Sequence, residues 1–570
     1  DMSNFDIIIK NGTIYDGSGN DSFVSDVFIK DDKIIKIGKC SNNDTAKDII
    51  DAENKIVTPG FVDIHTHYDG QATWDNYISP SSWYGVTTVI MGNCGVGFAP
   101  VRNEDHQKLI NLMEGVEDIP EVVLTEGIEW QWETYNDYMD VLSKRKYDID
   151  IGSQIPHGAL RLYVMGQRGA DREAATDEDI LEMSALATDA IKNGAFGFTT
   201  SRTINHRTSD GNYVPQLEAR ENELIGIAKS IGKTNKGVLQ VVSDFLGGRD
   251  EYLMLEKMVI ESKRPLSITV AQTDAASYEW QELLSWIESS GKNGLPIRAQ
   301  VSGRPIGLVL GLSVTLNPFS GHPSFKEIEN LSLNEKISVM RNNDFKNRIF
   351  SEKPNTDDGL MLSILRNYEN IYILDNPPDY EPDIEESLGY QAKIKGLNVI
   401  ELLYETLLQN DGKQLLYYPI GNYMDGSLDA SKRMIESDYS LLALGDGGAH
   451  CSTICDASFP THMLTFWGRD RKRGPKIELP WIIKSYTSDN AIAMGLADRG
   501  LIKEGMLADI NVIDFDNLQL YAPELVNDLP AGGKRLIQNV EGYDATIKSG
   551  VITYENGIAT KKLPGRLIRS

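Results

Sequence analysis

The sequence predicts an α/β protein: a TIM-like (β/α)8 barrel with a small β domain drawn from both ends of the chain and a long insertion before the last barrel strand. Three observations predict it. Residues 1–58 and 500–570 are runs of β-branched residues broken by Asn-Gly, Asp-Gly and Asp-Asp turns. The middle alternates continuous apolar runs with segments of helical periodicity, the pattern of a parallel sheet covered by helices. Those apolar runs number eight, which suits a barrel.

The elements follow in order. The N-terminal β segment reads FDIIIKNGTIYDG, SDVFIKDDKIIKIGK and an apolar stretch from Ile49 to Val57; the C-terminal one reads ADINVIDFDNLQL and YDATIKSGVITYENGIAT. Each is too short for a core alone, so the two are expected to pair as one composite domain. Over 59–499 lie the eight barrel runs: FVDIHTH, VTTVIMGNC, DIDIGSQIPHG, GAFGFTTSRT, GVLQVVSDF, PLSITVAQT, LPIRAQVSG and SLLALGDGG. EDILEMSALATDAIKNG and EARENELIGIAKSIGKTN are helical segments between them. Residues 315–438, with the acidic, Pro-rich DNPPDYEPDIEES, separate the seventh run from the eighth and are expected to form a lid or subdomain. Polar residues interrupt the runs mostly at their C-terminal ends, where a barrel sets its active site.

Charge narrows the function. The 570 residues carry 56 Lys+Arg against 83 Asp+Glu, a net −27 that repels nucleic acid and anionic membrane surfaces. The four cysteines are too few for a disulfide scaffold and suit a reducing compartment. No apolar run approaches the ~18 residues of a membrane span. The start lacks a basic and apolar leader, and Asp1 before Met2 reads as an expression remnant, so the expectation is a cytoplasmic protein. The expected partner is a small-molecule substrate, with homo-oligomerisation left open.

The strongest chemical signal is PGFVDIHTHYDG. His65 and His67 stand at i and i+2 after an apolar strand, so their imidazoles share a face and can converge on one ion. A bare HxH has a bland alternative, two half-exposed histidines; its position at the start of the barrel favours metal. Cys94, in GNCG at the end of the second run, is a candidate thiolate ligand against the alternative of a buried inert thiol. Asp446, in LLALGDGGAH, follows the eighth run at the end of the barrel, which favours a catalytic carboxylate over the alternative of an Asp serving a DGG turn.

PGFVDIHTH resembles the first barrel strand of the metal-dependent amidohydrolase superfamily, and GMLADINVIDFD its return into the β domain. GVTTVIMGNCGVGFAPV, IPHGALRLYVMG and GDGG resemble the N-acyl-D-amino-acid deacylase (D-aminoacylase) branch. The resemblance spans nearly the whole chain. It implies a hydrolase of non-peptide C–N bonds in linear amides, deacylating N-acyl-(D-)amino acids. It implies a metal ion, zinc by default with iron or manganese as alternatives, held by His65, His67, Cys94 and Asp446, with Asp446 moving the proton from water to the leaving amine; the histidines missing from the chain favour one ion over two.

The chain departs from that branch in one respect. D-aminoacylases place a histidine at the end of the fifth strand and another at the end of the sixth; GVLQVVSDF and PLSITVAQT have neither. His157, His206 or His450 is an alternative ligand source. A cyclic-amide hydrolase and a non-catalytic binding or assembly module are the alternative functions.

Two further groups complete the expected site. His157, where the third strand ends, is a candidate catalytic residue for stabilising an oxyanion, the alternative being a histidine satisfied by a neighbouring loop. Arg202, His206 and Arg207 in SRTINHRTSDG, and Arg304 in VSGRP, are candidate clamps for a substrate carboxylate.

Overall fold

The computed structural model describes residues 4–274 and 278–570; the reading of Asp1 and Met2 lies outside them. Each of the eight apolar runs contains a strand. In order these are Phe61–Asp63, Val86–Met91, Asp150–Ser153 continuing as Ile155–Pro156, Gly197–Arg202, Val238–Ser243, Leu266–Thr269, Ile297–Val301 and Ser440–Leu442. All pair in parallel with their sequence neighbours. The third strand joins two sheets, its first half pairing with the second strand and its end with the fourth. The eighth is tied back to the first. His67 N–H donates to Gly447 O at 2.7 Å, and the Asn490 amide donates to Val62 O and Leu442 O at 2.9 and 3.0 Å. The result is a TIM-barrel-like α/β body with an additional β domain.

The helices between strands form for ordinary reasons. Asp177–Lys192 starts at a capping box, with Thr176 accepting from Asp179 N–H and Asp179 reaching back. It buries Ile180, Met183, Ala187 and Ile191 at helical spacing. Its acidic first turn and terminal Lys192 complement the helix dipole.

The ends of the chain share one nine-stranded sheet. Ile56–Pro59 pairs antiparallel with Ile510–Ile513, and Tyr543–Lys548 continues the sheet beyond. Ile7, Ile9, Val27, Val57, Ile510, Val512 and Ile547 form its own buried core. Parts of 500–570 lie outside it, among them the short pair Gln519–Leu520 with Val540–Glu541. The hairpin Glu524–Leu529 with Gly533–Ile537 leans over the barrel, where Leu536 N–H donates to Cys451 O at 2.7 Å. Gly565 and Leu567 pair with Tyr147 and Ile151 beside the third barrel strand.

The insertion has its own core. Ile306–Leu310, Tyr372–Leu374 and Leu415–Gly421 form an antiparallel sheet, packed on helices such as Asn343–Ser351 and Val399–Leu407 through Leu310, Phe345, Ile349, Leu403 and Leu416. Its first strand thus begins ahead of residue 315. Only the turn at 302–305 separates the apolar IGLVL that forms it from the seventh run. Among the described residues no helix is long and apolar enough to cross a membrane.

Candidate metal centre

Two turns set the geometry. After the first strand the chain leaves the sheet, and Asp63 accepts from His65 N–H at 3.1 Å. After the second strand Cys94 adopts a left-handed backbone, φ 61°, and its N–H is received by Gln240 Oε1 at 3.0 Å. The Asn93 amide donates to Thr66 O at 3.1 Å and to Ile90 O at 3.0 Å. That side chain grips the residue between the two histidines, so GNCG and HTH are held as one unit. Gly92 is required: its φ is +83° and a Cβ would lie 2.3 Å from Gln154 O. Across the mouth, Asp446 (φ 51°) leads into Gly448, where φ is +89° and a Cβ would meet His67 O at 2.7 Å.

The donor atoms converge. His65, His67 and Cys94 place their ligand atoms within 4.8 Å of one another, the three being buried. His65 Nε2 lies 3.4 Å from Cys94 Sγ and 3.3 Å from Asp446 Oδ1. His67 Nε2 lies 3.2 Å from the same carboxylate oxygen. A tetrahedral zinc shell with Zn–N near 2.0–2.1 Å and Zn–S near 2.3 Å has ligand–ligand edges of about 3.3–3.7 Å. The donors therefore stand at ligand spacing.

Their orientation supports the fit. His65 Nδ1 is 2.7 Å from Gln300 Oε1, and the Gln300 amide is itself anchored by donating to Ser267 Oγ at 2.9 Å. An amide oxygen there requires Nδ1 to carry the proton, which leaves the Nε2 lone pair facing Cys94 and Asp446. Burial, opposed in part by Asp446, lowers the His65 pKa to about 4, so the ring is neutral and available as a ligand. Asp446 is opposed by burial, but hydrogen bonds from His450 and His67 hold its carboxyl well below the usual range. The residues present fit a divalent ion of zinc type.

The other sequence candidates are placed differently. His157 is fully buried, with Nδ1 2.7 Å from Thr200 Oγ1 and Nε2 2.6 Å from Glu223 Oε2, while the other oxygen of that carboxylate, Oε1, pairs with Arg161. Both ring nitrogens are occupied by the protein, leaving none for an oxyanion. Arg202 donates to Glu251 at 2.5 Å and to Ala219 O at 2.7 Å. Arg304 is 1% exposed and is held by Asp456 at 2.7 Å and by Cys455 O, with Tyr380 under its guanidinium. These partners commit both arginines to the fold. His206 accepts or donates at Ser201 Oγ, 2.7 Å away. Burial lowers its pKa to about 3, so the ring is neutral. Arg207 is exposed and makes long bonds of 3.3–3.4 Å to Ile204 O, Gly211 O and Tyr213 Oη.

Three residues near the ligands escaped the sequence reading. Gln240 and Gln300 lie on the fifth and seventh strands as plain polar interruptions of apolar runs. Glu117 ends the helix His106–Glu117, is 2% exposed and sits 3.3 Å from His67 Nε2. Nothing in its sequence neighbourhood singles it out among 83 acidic residues. A pocket at the barrel mouth is lined by Gln71, Pro80, Asp446, His450, Cys451 and Arg535. Asp446 and His450 side chains are 26% and 22% exposed, against 2% or less for His65 and His67, so access comes from the Asp446 side.

The Amidohydrolase family model matches residues 48–554. The chain belongs to the amidohydrolase family. This amidohydrolase is 30% identical to the D-aminoacylase of Alcaligenes xylosoxydans xylosoxydans over 231 residues, 40% of this chain and 43% of that enzyme. The match thus spans less than half the length of that relative. Among solved structures, a D-aminoacylase described with a binuclear metal centre is 21% identical, with a TM-score of 0.64 and coverage of 99% of this chain and 100% of that one. The N-acyl-D-glutamate deacylase of Bordetella bronchiseptica, complexed with zinc and a phosphonate inhibitor, is 19% identical, with a TM-score of 0.63 over 99% and 100% of the two chains. These two show the shared fold.

Proposed function

We propose that the protein is a metal-dependent hydrolase of C–N bonds in linear amides that deacylates N-acyl-(D-)amino acids. The observation that carries the reading is the convergence of His65, His67 and Cys94 within 4.8 Å, with Asp446 Oδ1 3.3 and 3.2 Å from the two imidazoles and Gln300 fixing the tautomer of His65. The deacylases it resembles supply the substrate class. The same proposal includes a closed (β/α)8 barrel, domains 1–58, 59–499 and 500–570, and a lid within 315–438 that excludes bulk water.

His65, His67, Cys94 and Asp446 would hold the ion, zinc by the donor set. Such an ion supplies Lewis acidity, activating water at neutral pH and polarising an amide carbonyl. Asp446, the most solvent-accessible of the four, takes the proton of the attacking water on its carboxylate and passes it to the departing nitrogen. Arg207, free of any carboxylate partner among the described residues, attracts the substrate carboxylate, with neutral His206 as a further donor or acceptor beside it.

A panel of N-acyl D- and L-amino acids, run beside hydantoins and dihydropyrimidines on zinc-loaded protein, tests the reading. Release of free amino acid from linear D-substrates is expected. Turnover confined to the cyclic amides, or none at all, overturns it.

A further inference from the structure

Away from the metal centre, a second concave site is bordered by positive charge. Residues 469–476, RDRKRGPK, carry five cations and one carboxylate in a protein of net charge −27. They flank a cleft of about 690 Å³ between residues 377–381 of the insertion, the π-helix Met463–Asp470 with the loop after it, and Gln519–Leu520. The cleft shares no lining residue with the pocket at Asp446. We infer that it is a binding site for a phosphorylated small molecule, with Lys472 and Lys476 receiving the phosphate and His462 in the wall. This goes beyond the hydrolase reading and does not depend on it.

Most of the cluster is committed, which leaves a defined remainder. Arg469 pairs with Asp470 at 2.7 and 2.9 Å and donates to Leu518 O at 2.8 Å. Arg471 pairs with Glu381 at 3.1 and 2.9 Å and with Asp429 at 2.7 Å, and closes its own loop by donating to Pro475 O at 2.9 Å. Arg473 donates to Glu381 O, Pro382 O, Tyr423 Oη and Gly426 O at 2.9–3.2 Å. These bonds hold the loop against the insertion and neutralise two of the three carboxylates in the lining, Glu381 and Asp470. The third, Asp379, accepts from Glu381 N–H at 2.9 Å, and burial pushes its carboxyl up, towards the neutral form. Lys472 and Lys476 are exposed and have no carboxylate partner among the described residues. Two fixed ammonium groups thus stand against the field of the whole chain at the edge of one cleft. Lysine binds phosphate as such a point charge.

The wall agrees with the rim. His462 is 4% exposed, yet its buried Nε2 has no hydrogen-bond partner among the described residues, an expensive state that a ligand relieves. Burial, with Arg304 nearby, holds its pKa well below the usual histidine value, so the ring is neutral with one N–H to give. His462 stacks on Phe466, centroids 4.8 Å and planes 13° apart, and meets Tyr380 edge-on at 5.6 Å. With Pro377 and Pro378 these rings give the cleft an apolar side beside its cationic rim, and its volume is that of an organic ligand rather than of a bare phosphate. The backbone turn that carries them is widened: Arg471 N–H donates to Phe466 O, five residues back, at 2.9 Å. Such turns recur at functional sites.

Calorimetric titration of the full chain with pyrophosphate and with ADP, in about 0.15 M salt without added magnesium, tests the site. Wild type is expected to bind, and Lys472→Ser/Lys476→Ser to bind at least about 10-fold more weakly, with an unchanged unfolding midpoint. The two single variants serve if the double one does not fold. Lys192→Ser/Lys292→Ser removes the same charge from two helix ends elsewhere and should keep wild-type affinity. ADP bound more tightly than pyrophosphate assigns a nucleotide; ADP bound no more tightly assigns recognition of the phosphates alone. Binding of neither ligand overturns the inference, as does equal loss in both double variants. Wild-type affinity in Lys472→Ser/Lys476→Ser also overturns it and moves the anion to the metal centre. The amide-substrate panel can fail without changing any of these readouts.

Discussion

At the scale of single residues, Asp446 and Gln300 separate chemistry from ligand geometry. Asp446→Asn removes the group that moves the proton, and turnover should fall at least about 10²–10⁴-fold, the range of general acid–base catalysis. Zinc held by His65, His67 and Cys94 should remain, so a variant that keeps both zinc and wild-type turnover would remove Asp446 from the reaction. Gln300→Ala frees His65 Nδ1 and lets the ring rotate or change tautomer. Zinc affinity should drop about 10–100-fold in competition with a chromophoric chelator, as for other residues that orient a ligand. His65, His67, Cys94 and Asp446 were legible because each sits in a short motif at a strand end. Glu117 was not, since its placement depends on a helix terminus meeting a loop 333 to 335 positions away in sequence. Arg304 illustrates the converse: its sequence context suggests a free cation, and only the fold reveals Asp456 beside it.

Helices and strands carry their own expectations. Thr176→Ala deletes one half of the capping box on Asp177–Lys192 and should cost about 1 kcal/mol in denaturant unfolding. Glu223, on the helix Glu221–Gly232, joins that helix to His157 and Arg161 at the third strand's end. Burial pushes its carboxyl up, but His157 and Arg161 outweigh burial and hold it below the ordinary glutamate value. Its contribution to stability is therefore full above the unfolded-state pKa near ~4.3 and is lost as pH falls through the lower folded value. Glu223→Gln should lower unfolding free energy at pH 7 by about 3–5 kcal/mol and flatten the loss of stability on acidification. An unchanged pH slope would show that the carboxylate is not linked to folding. The eight parallel strands were legible because buried parallel strands are written as continuous apolar runs. The strand Ile306–Leu310 was not separated from them, since an antiparallel strand buried on both faces is written in the same way.

Across the whole molecule, one buried ion network joins the composite sheet to the barrel. Lys548, fully buried on a C-terminal strand, donates to Asp509 at 2.8 and 2.9 Å and pairs at 2.7 Å with Asp150 of the third barrel strand, which Arg499 also contacts at 2.7 Å. Lys548→Met leaves two carboxylates buried with half their compensation and should destabilise by about 3–5 kcal/mol. Equal unfolding midpoints for wild type and Lys548→Met would show that the two bodies are held by apolar contact alone.

The pairing of Ile56–Pro59 with Ile510–Ile513 also governs how the protein is made. Roughly 450 residues separate these partners, and at about 5–20 residues per second a ribosome needs roughly 25–90 s to travel between them. Throughout that interval the N-terminal ribbon presents an open, Ile- and Val-rich margin with nothing to bind. A nascent chain stalled before residue 510 should consequently be sticky and chaperone-bound, and slower elongation should depress the yield of active protein rather than improve it.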